Sequence, residues 1–129
     1  MSVRMVATTL APKAQGPYSQ AIECDGLLYC SGQVALDPET GKLIEGGIQE
    51  QTERVLKTLS FILTTGGSDL NHVLKVSVFL ADISHFREMN EVYGRFFENH
   101  KPARTTVQAG ALPLPGALVE IDAIARVVR

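Results

Sequence analysis

An α+β two-layer sandwich, with two helices laid on one face of a mixed sheet, is the fold this sequence predicts, and three observations predict it. Two stretches carry apolar residues at helical spacing, several shorter stretches follow the two-residue period of strands, and the order along the chain is β, β, α, β, α, β, β. At 129 residues the chain suits one domain, 1–129, with one core.

After an irregular start through Pro12 and Gly16-Pro17, residues 18–24 and 27–31 alternate around Asp25-Gly26 as a two-residue hairpin. That pairing sets Cys24 against Leu27 and Cys30 against Ala21, so the two thiols point to opposite faces and stay free. Free thiols fit a reducing compartment. Residues 37–41, reading Asp-Pro-Glu-Thr-Gly, form a turn.

From Ile48 onward Val55, Leu59 and Ile62, flanked by Leu56 and Leu63, recur at helical spacing until Gly66-Gly67 ends the pattern. Residues 73–80 form a strand with Leu74, Val76, Val78 and Leu80 on one side and Lys75, Ser77 and Phe79 on the other. A second helix follows, N-capped by Ser84, with Phe86, Met89, Tyr93, Phe96 and Phe97 as its apolar stripe before Pro102. Residues 104–109 and 118–127 supply two last strands around a 110–116 loop that contains Pro113 and Pro115.

On the final strand Val119, Ile121, Ala123 and Ala125 form the core set, which turns Glu120 and Asp122 away from the helices. Assigning Val107 and Ala109 to the core side of the preceding strand turns Arg104 and Thr106 the same way. Arg104, Thr106 and Glu120 are thus expected on one open face with Ser77 and Phe79, a mixture that suits packing between subunits.

Composition narrows the function. The net charge of -2 disfavours a nucleic-acid partner, and low aromatic content with no Trp offers few stacking platforms. No apolar run is long enough for a membrane span. His72, His85 and His100 are too dispersed for a metal site, and no glycine-rich loop cradles phosphates. Secretory targeting reads poorly and an intracellular, cytoplasmic chain is expected. The acid-poor stretch before Glu23 keeps mitochondrial residence as the alternative.

Arg104 at a strand start offers a planar fork for a carboxylate, and Glu120 between Val119 and Ile121 is a tunable acid or base. On pattern alone the favoured account is structural: a solvated or ion-paired Arg104, and a Glu120 paired with Arg104 or with a partner at a subunit interface. Tyr18, Ser31, Gly32 and Asn90 have structural uses of their own in strand ends, turns and helix contacts.

The runs Gly16-Pro17-Tyr18-Ser19-Gln20-Ala21, Ser31-Gly32-Gln33 and Asp37-Pro38-Glu39-Thr40-Gly41 resemble the RidA family, also called YjgF or the L-PSP translation-inhibitor family. So do Asn90-Glu91-Val92-Tyr93, Pro102-Ala103-Arg104-Thr105-Thr106-Val107 and Val119-Glu120-Ile121-Asp122-Ala123-Ile124-Ala125, which extends the resemblance over nearly the whole chain. It implies a chorismate-mutase-like subunit in a homotrimer with sites between neighbours. The implied reaction needs no cofactor: hydrolysis of 2-imino and 2-enamino acids, released by pyridoxal-phosphate enzymes, to 2-keto acids and ammonia.

By the same resemblance Arg104 binds the substrate carboxylate, Glu120 places and activates water, and Tyr18, Ser31, Gly32, Asn90 and Thr106 line the pocket. Many relatives carry cysteine where this chain has Thr106, so a mechanism requiring that thiol is closed to it. The alternatives are an RNA-directed endoribonuclease or translation inhibitor, and a non-catalytic ligand-binding trimer.

Overall fold

The computed structural model describes residues 2–128. Its strands are β1 (Val3–Val6), β2 (Ala21–Cys24), β3 (Leu27–Gln33), β4 (Val73–Leu80), β5 (Ala103–Gln108) and β6 (Val119–Arg126), and its helices are α1 (Ile48–Thr65) and α2 (Phe86–Phe96). They form one mixed sheet in the order β1-β2-β3-β6-β4-β5, in which only β4 and β5 pair in parallel. Both helices serve as crossovers, α1 from β3 to β4 and α2 from β4 to β5.

The first hairpin forms as the sequence predicts. Asp25 and Gly26 both take positive φ, 52° and 80°, which is the twist a two-residue turn needs, and Cys24 pairs with Leu27 while Cys30 pairs with Ala21. Cys24 and Cys30 are free thiols. Burial, with the charge of Asp122 second, pushes the Cys30 thiol up to about 12, so it behaves as a core hydrophobe.

In α1 the residues Val55, Leu56, Leu59, Ile62 and Leu63 are all buried against the sheet. The Glu50 carboxylate accepts from the Gly47 backbone N–H at 2.8 Å and so satisfies one orphan donor of the first turn. Gln51, 2% exposed, reaches from α1 to the 110–116 loop and the start of β6. Its Nε2 donates to the Gly116 carbonyl at 3.1 Å and its Oε1 accepts from the Leu118 N–H at 2.8 Å, which sets where β6 enters the sheet.

Four expectations are corrected. The start of the chain is not wholly irregular: Val3–Val6 adds an edge strand, tied down by Arg4, which donates to Glu23 at 2.7 Å and to the Gly66 carbonyl at the end of α1 at 3.1 Å. Strand β2 begins at Ala21, since the preceding segment leaves the ladder. Leu74 is exposed and Val73 takes its core place, because the register with β6 shifts between Val73 and Lys75. Ser84 caps nothing; Asp82 accepts from Ser84 N–H at the head of a 3-10 turn that leads into α2.

The face of the sheet away from the helices carries Phe79, Tyr29, Ile124, Ile22 and Met5, with Val3 at its margin. None of them is buried, and Met5 is 65% exposed. A monomer rarely leaves so much apolar surface contiguous and open to water.

Candidate active site

The face assigned to β5 is also corrected. Parallel pairing sets Arg104 beside Val76 and Thr106 beside Val78, both core residues under the helices, while Val107 lies beside Phe79 on the open face. Glu120 pairs with Phe79 as well, so it faces the open side. Within one chain Arg104 and Glu120 therefore lie on opposite faces, and the ion pair between them that the pattern favoured does not form.

Arg104 emerges at the sheet edge under α2. Phe86, Asn90 and Tyr93 stand at i, i+4 and i+7 of that helix, hence on one stripe, and all three meet the guanidinium. Its Nη1 donates to Asn90 Oδ1 at 2.7 Å, and its Cζ lies 4.6 Å from the Tyr93 ring centroid and 5.6 Å from that of Phe86. Among the described residues the ion pairs are Arg4–Glu23, Lys57–Glu53 and His72–Asp69, so Arg104 has no carboxylate partner. A hollow of about 250 Å³ opens beside it, lined by Asn90, Tyr93, Gly94, Phe97, Lys101 and Pro102. Thr106 lies two residues on along the same face, its buried hydroxyl without a hydrogen-bond partner among the described residues.

The second group of predicted residues gathers on the other side. The Glu120 side chain lies across Gly32: a Cβ there would collide with Oε2 and stand 3.0 Å from Cδ. Glycine at this position leaves room for the carboxylate, which a Cβ would push aside, where β3 breaks register with β6 between Cys30 and Gln33. Glu120 is half-buried, and burial first, then the charge of Asp122, raises its carboxyl above the usual carboxylate range.

Ser31 Oγ donates to the Ser19 carbonyl at 2.6 Å, so the hydroxyl holds the 16–20 segment in place and is not poised as a nucleophile. Tyr18, next to Ser19, is half exposed and lines an open groove of about 550 Å³ with Thr8, Lys13 and Gly16. The structure thus brings Arg104, Asn90 and Thr106 together at one edge and Glu120 with Gly32 elsewhere, and does not bring the two groups together in one chain. Tyr93 and Phe86 were missed as site residues, although their helical spacing from Asn90 was the available signal. No group of three His, Cys, Asp or Glu side chains among the described residues is placed to hold a metal ion.

The endoribonuclease L-PSP family matches residues 8–127. A mouse protein, 2-iminobutanoate/2-iminopropanoate deaminase, is 48% identical over 122 residues, 95% of this chain and 90% of that protein. The crystal structure of RidA from an Antarctic Psychrobacter superposes with a TM-score of 0.91 at 40% identity, covering 96% of this chain and 99% of that one. Escherichia coli TdcF, solved with bound serine, superposes with a TM-score of 0.90 at 33% identity, covering 97% and 99%. The chain belongs to the RidA/YjgF family, named also for endoribonuclease L-PSP. No helix among the described residues is long and apolar enough to cross a membrane.

Proposed function

We propose that this protein hydrolyses 2-imino and 2-enamino acids to 2-keto acids and ammonia, at sites built between copies of the chain. The observation that carries the reading is Arg104: a guanidinium held by aromatic rings and Asn90, with no carboxylate partner among the described residues. An arginine fork left unpaired suits a carboxylate supplied by a ligand. The deaminase name of the mouse relative supports the same substrate class.

In this reading Glu120 takes a proton from water as the water oxygen bonds to the imine carbon. Glu120 passes that proton to the imine nitrogen, and as the C–N bond of the resulting carbinolamine breaks, its hydroxyl proton moves, again by way of Glu120, to the leaving amine, which releases ammonia and leaves the keto carbonyl. A raised carboxyl pKa brings Glu120 closer to working pH and makes it a better proton acceptor than an ordinary carboxylate. Thr106, Asn90, Gly32, Ser31 and Tyr18 shape the pocket.

A homotrimer unites the two halves. In a closed ring the β5 edge of one copy meets the Glu120 side of the next, and the apolar open face of the sheet is covered at the same time. Cytoplasmic residence fits the two free thiols. The net charge of -2 weighs against an RNA substrate despite the family's ribonuclease name.

The test is semicarbazide trapping of freshly generated 2-iminobutyrate, with and without the protein. The wild type should divert imine to 2-ketobutyrate. Arg104→Lys should retain fold and charge but lose about 10-fold or more in kcat/KM, because an ammonium cannot form the two parallel bonds. No diversion of imine by the wild type would refute the reading.

A further inference from the structure

Tyr93 belongs to the buried stripe of α2, yet it is one of three side chains that meet Arg104, and the nearer of the two rings. Its ring centroid lies 4.6 Å from the guanidinium carbon and 4.7 Å from the centroid of the Phe97 ring, tilted by 36° to the latter. Phe97 is buried, so the ring packs against a fixed neighbour. Burial raises the phenol, against an opposing pull from the charge of Arg104, and the ring is a neutral surface at neutral pH.

A guanidinium binds a carboxylate through N–H groups in its own plane, whereas an aromatic ring touches only its face. With the guanidinium carbon over the Tyr93 ring and the phenol oxygen without a hydrogen-bond partner among the described residues, this contact confines the guanidinium and leaves its N–H donors free. The Asn90 bond consumes one donor, at Nη1, and fixes rotation within that plane. What remains is an edge of the fork, oriented before any ligand arrives. Held this way, Arg104 loses little further freedom on binding, which is where a flexible arginine would forfeit affinity.

We infer that Tyr93 is a positioning residue: through face-on stacking it presets the guanidinium of Arg104 for an incoming carboxylate, and Asn90 sets its rotation. The inference rests on the reading of Arg104 as the carboxylate-binding group. Because the contact serves ground state and transition state alike, its loss acts on KM and leaves kcat nearly intact.

The experiment is NMR of arginine side chains in the intact protein, with the Arg104 signals assigned by their absence from Arg104→Lys, beside steady-state kinetics on 2-iminobutyrate. In the wild type the Arg104 side-chain protons should be shifted upfield by the Tyr93 ring, and rotation about Nε–Cζ should be slow. Tyr93→Leu should remove most of the upfield shift, speed the rotation and raise KM about 10-fold with kcat changed little, while Tyr93→Phe, which keeps the ring, should preserve the wild-type behaviour. Unshifted, freely rotating Arg104 signals in the wild type would overturn the proposal, and this measurement needs no variant to fold. So would a Tyr93→Phe variant as impaired as Tyr93→Leu. A held guanidinium in a wild type that hydrolyses no imine would support the stacking role and remove only the substrate assignment.

Discussion

Refolding Arg104→Ala and Glu120→Gln subunits together should restore imine hydrolysis that neither variant performs alone, because the two residues cannot meet within one chain. Glu120 pairs with Phe79 and Phe79 with Val107, so Arg104 lies two strands across and three residues along from Glu120. At a strand spacing of ~4.8 Å and a rise of ~3.3 Å, their Cα atoms are about 14 Å apart, with side chains on opposite faces. A working pair must come from two copies. In a closed ring assembled at random from equal amounts of the variants, roughly one interface in four joins an intact Arg104 to an intact Glu120. Each pure variant should keep about 1% of wild-type activity or less, so recovery to about a quarter is readily measured. The assay is 2-ketobutyrate formation after co-refolding from denaturant, with each variant refolded separately as control. A mixture no more active than the mean of its parents would refute the intersubunit site.

Glu120→Gln alone should lower turnover about 100-fold or more while 2-ketobutyrate still binds through Arg104. Its folded carboxyl is raised above the ordinary value of 4.5, so the charged form costs stability, absent in acid and felt in full once pH exceeds the raised value. The thermal midpoint of Glu120→Gln should therefore equal or exceed that of the wild type at pH 7 and converge with it near about pH 4; a lower midpoint at pH 7 would make Glu120 a structural ion-pair partner. Gly32→Ala should keep the fold but displace the Glu120 carboxylate, with kcat down about 10-fold or more; wild-type kcat would show that the contact is immaterial. Gln51→Ala strands the Gly116 carbonyl and the Leu118 N–H in a buried place and should cost about 1–3 kcal/mol in denaturant unfolding; an unchanged midpoint would show that water replaces the amide.

Where periodicity is strong and burial one-sided, residues reported their own structure. The repeat of Val55, Leu59 and Ile62 marked α1 to its last turn, Asp25-Gly26 marked the hairpin, and Val119, Ile121, Ala123 and Ala125 marked the core face of β6. The resemblance carried by the Pro102-Ala103-Arg104 and Val119-Glu120-Ile121 runs led to the family that the relatives bear out. Strand β1 escaped notice because four residues with mostly exposed side chains have no pattern of their own; partners in β2 and the Arg4 contacts make them a strand.

The face of β5 was decided by tertiary structure alone. Its six residues alternate Ala, Arg, Thr, Thr, Val, Gln, and either face of that series could be the inner one. Placing Val107 inside follows hydrophobicity, but β5 is an edge strand docked in parallel on β4, and the crossover through α2 sets its register so that Arg104 and Thr106 fall beneath the helix. Aromatic rings and Asn90 on α2 make that side hospitable to a guanidinium. Local sequence carries the period of a strand, while the choice between its two faces belongs to the partners it pairs and packs against.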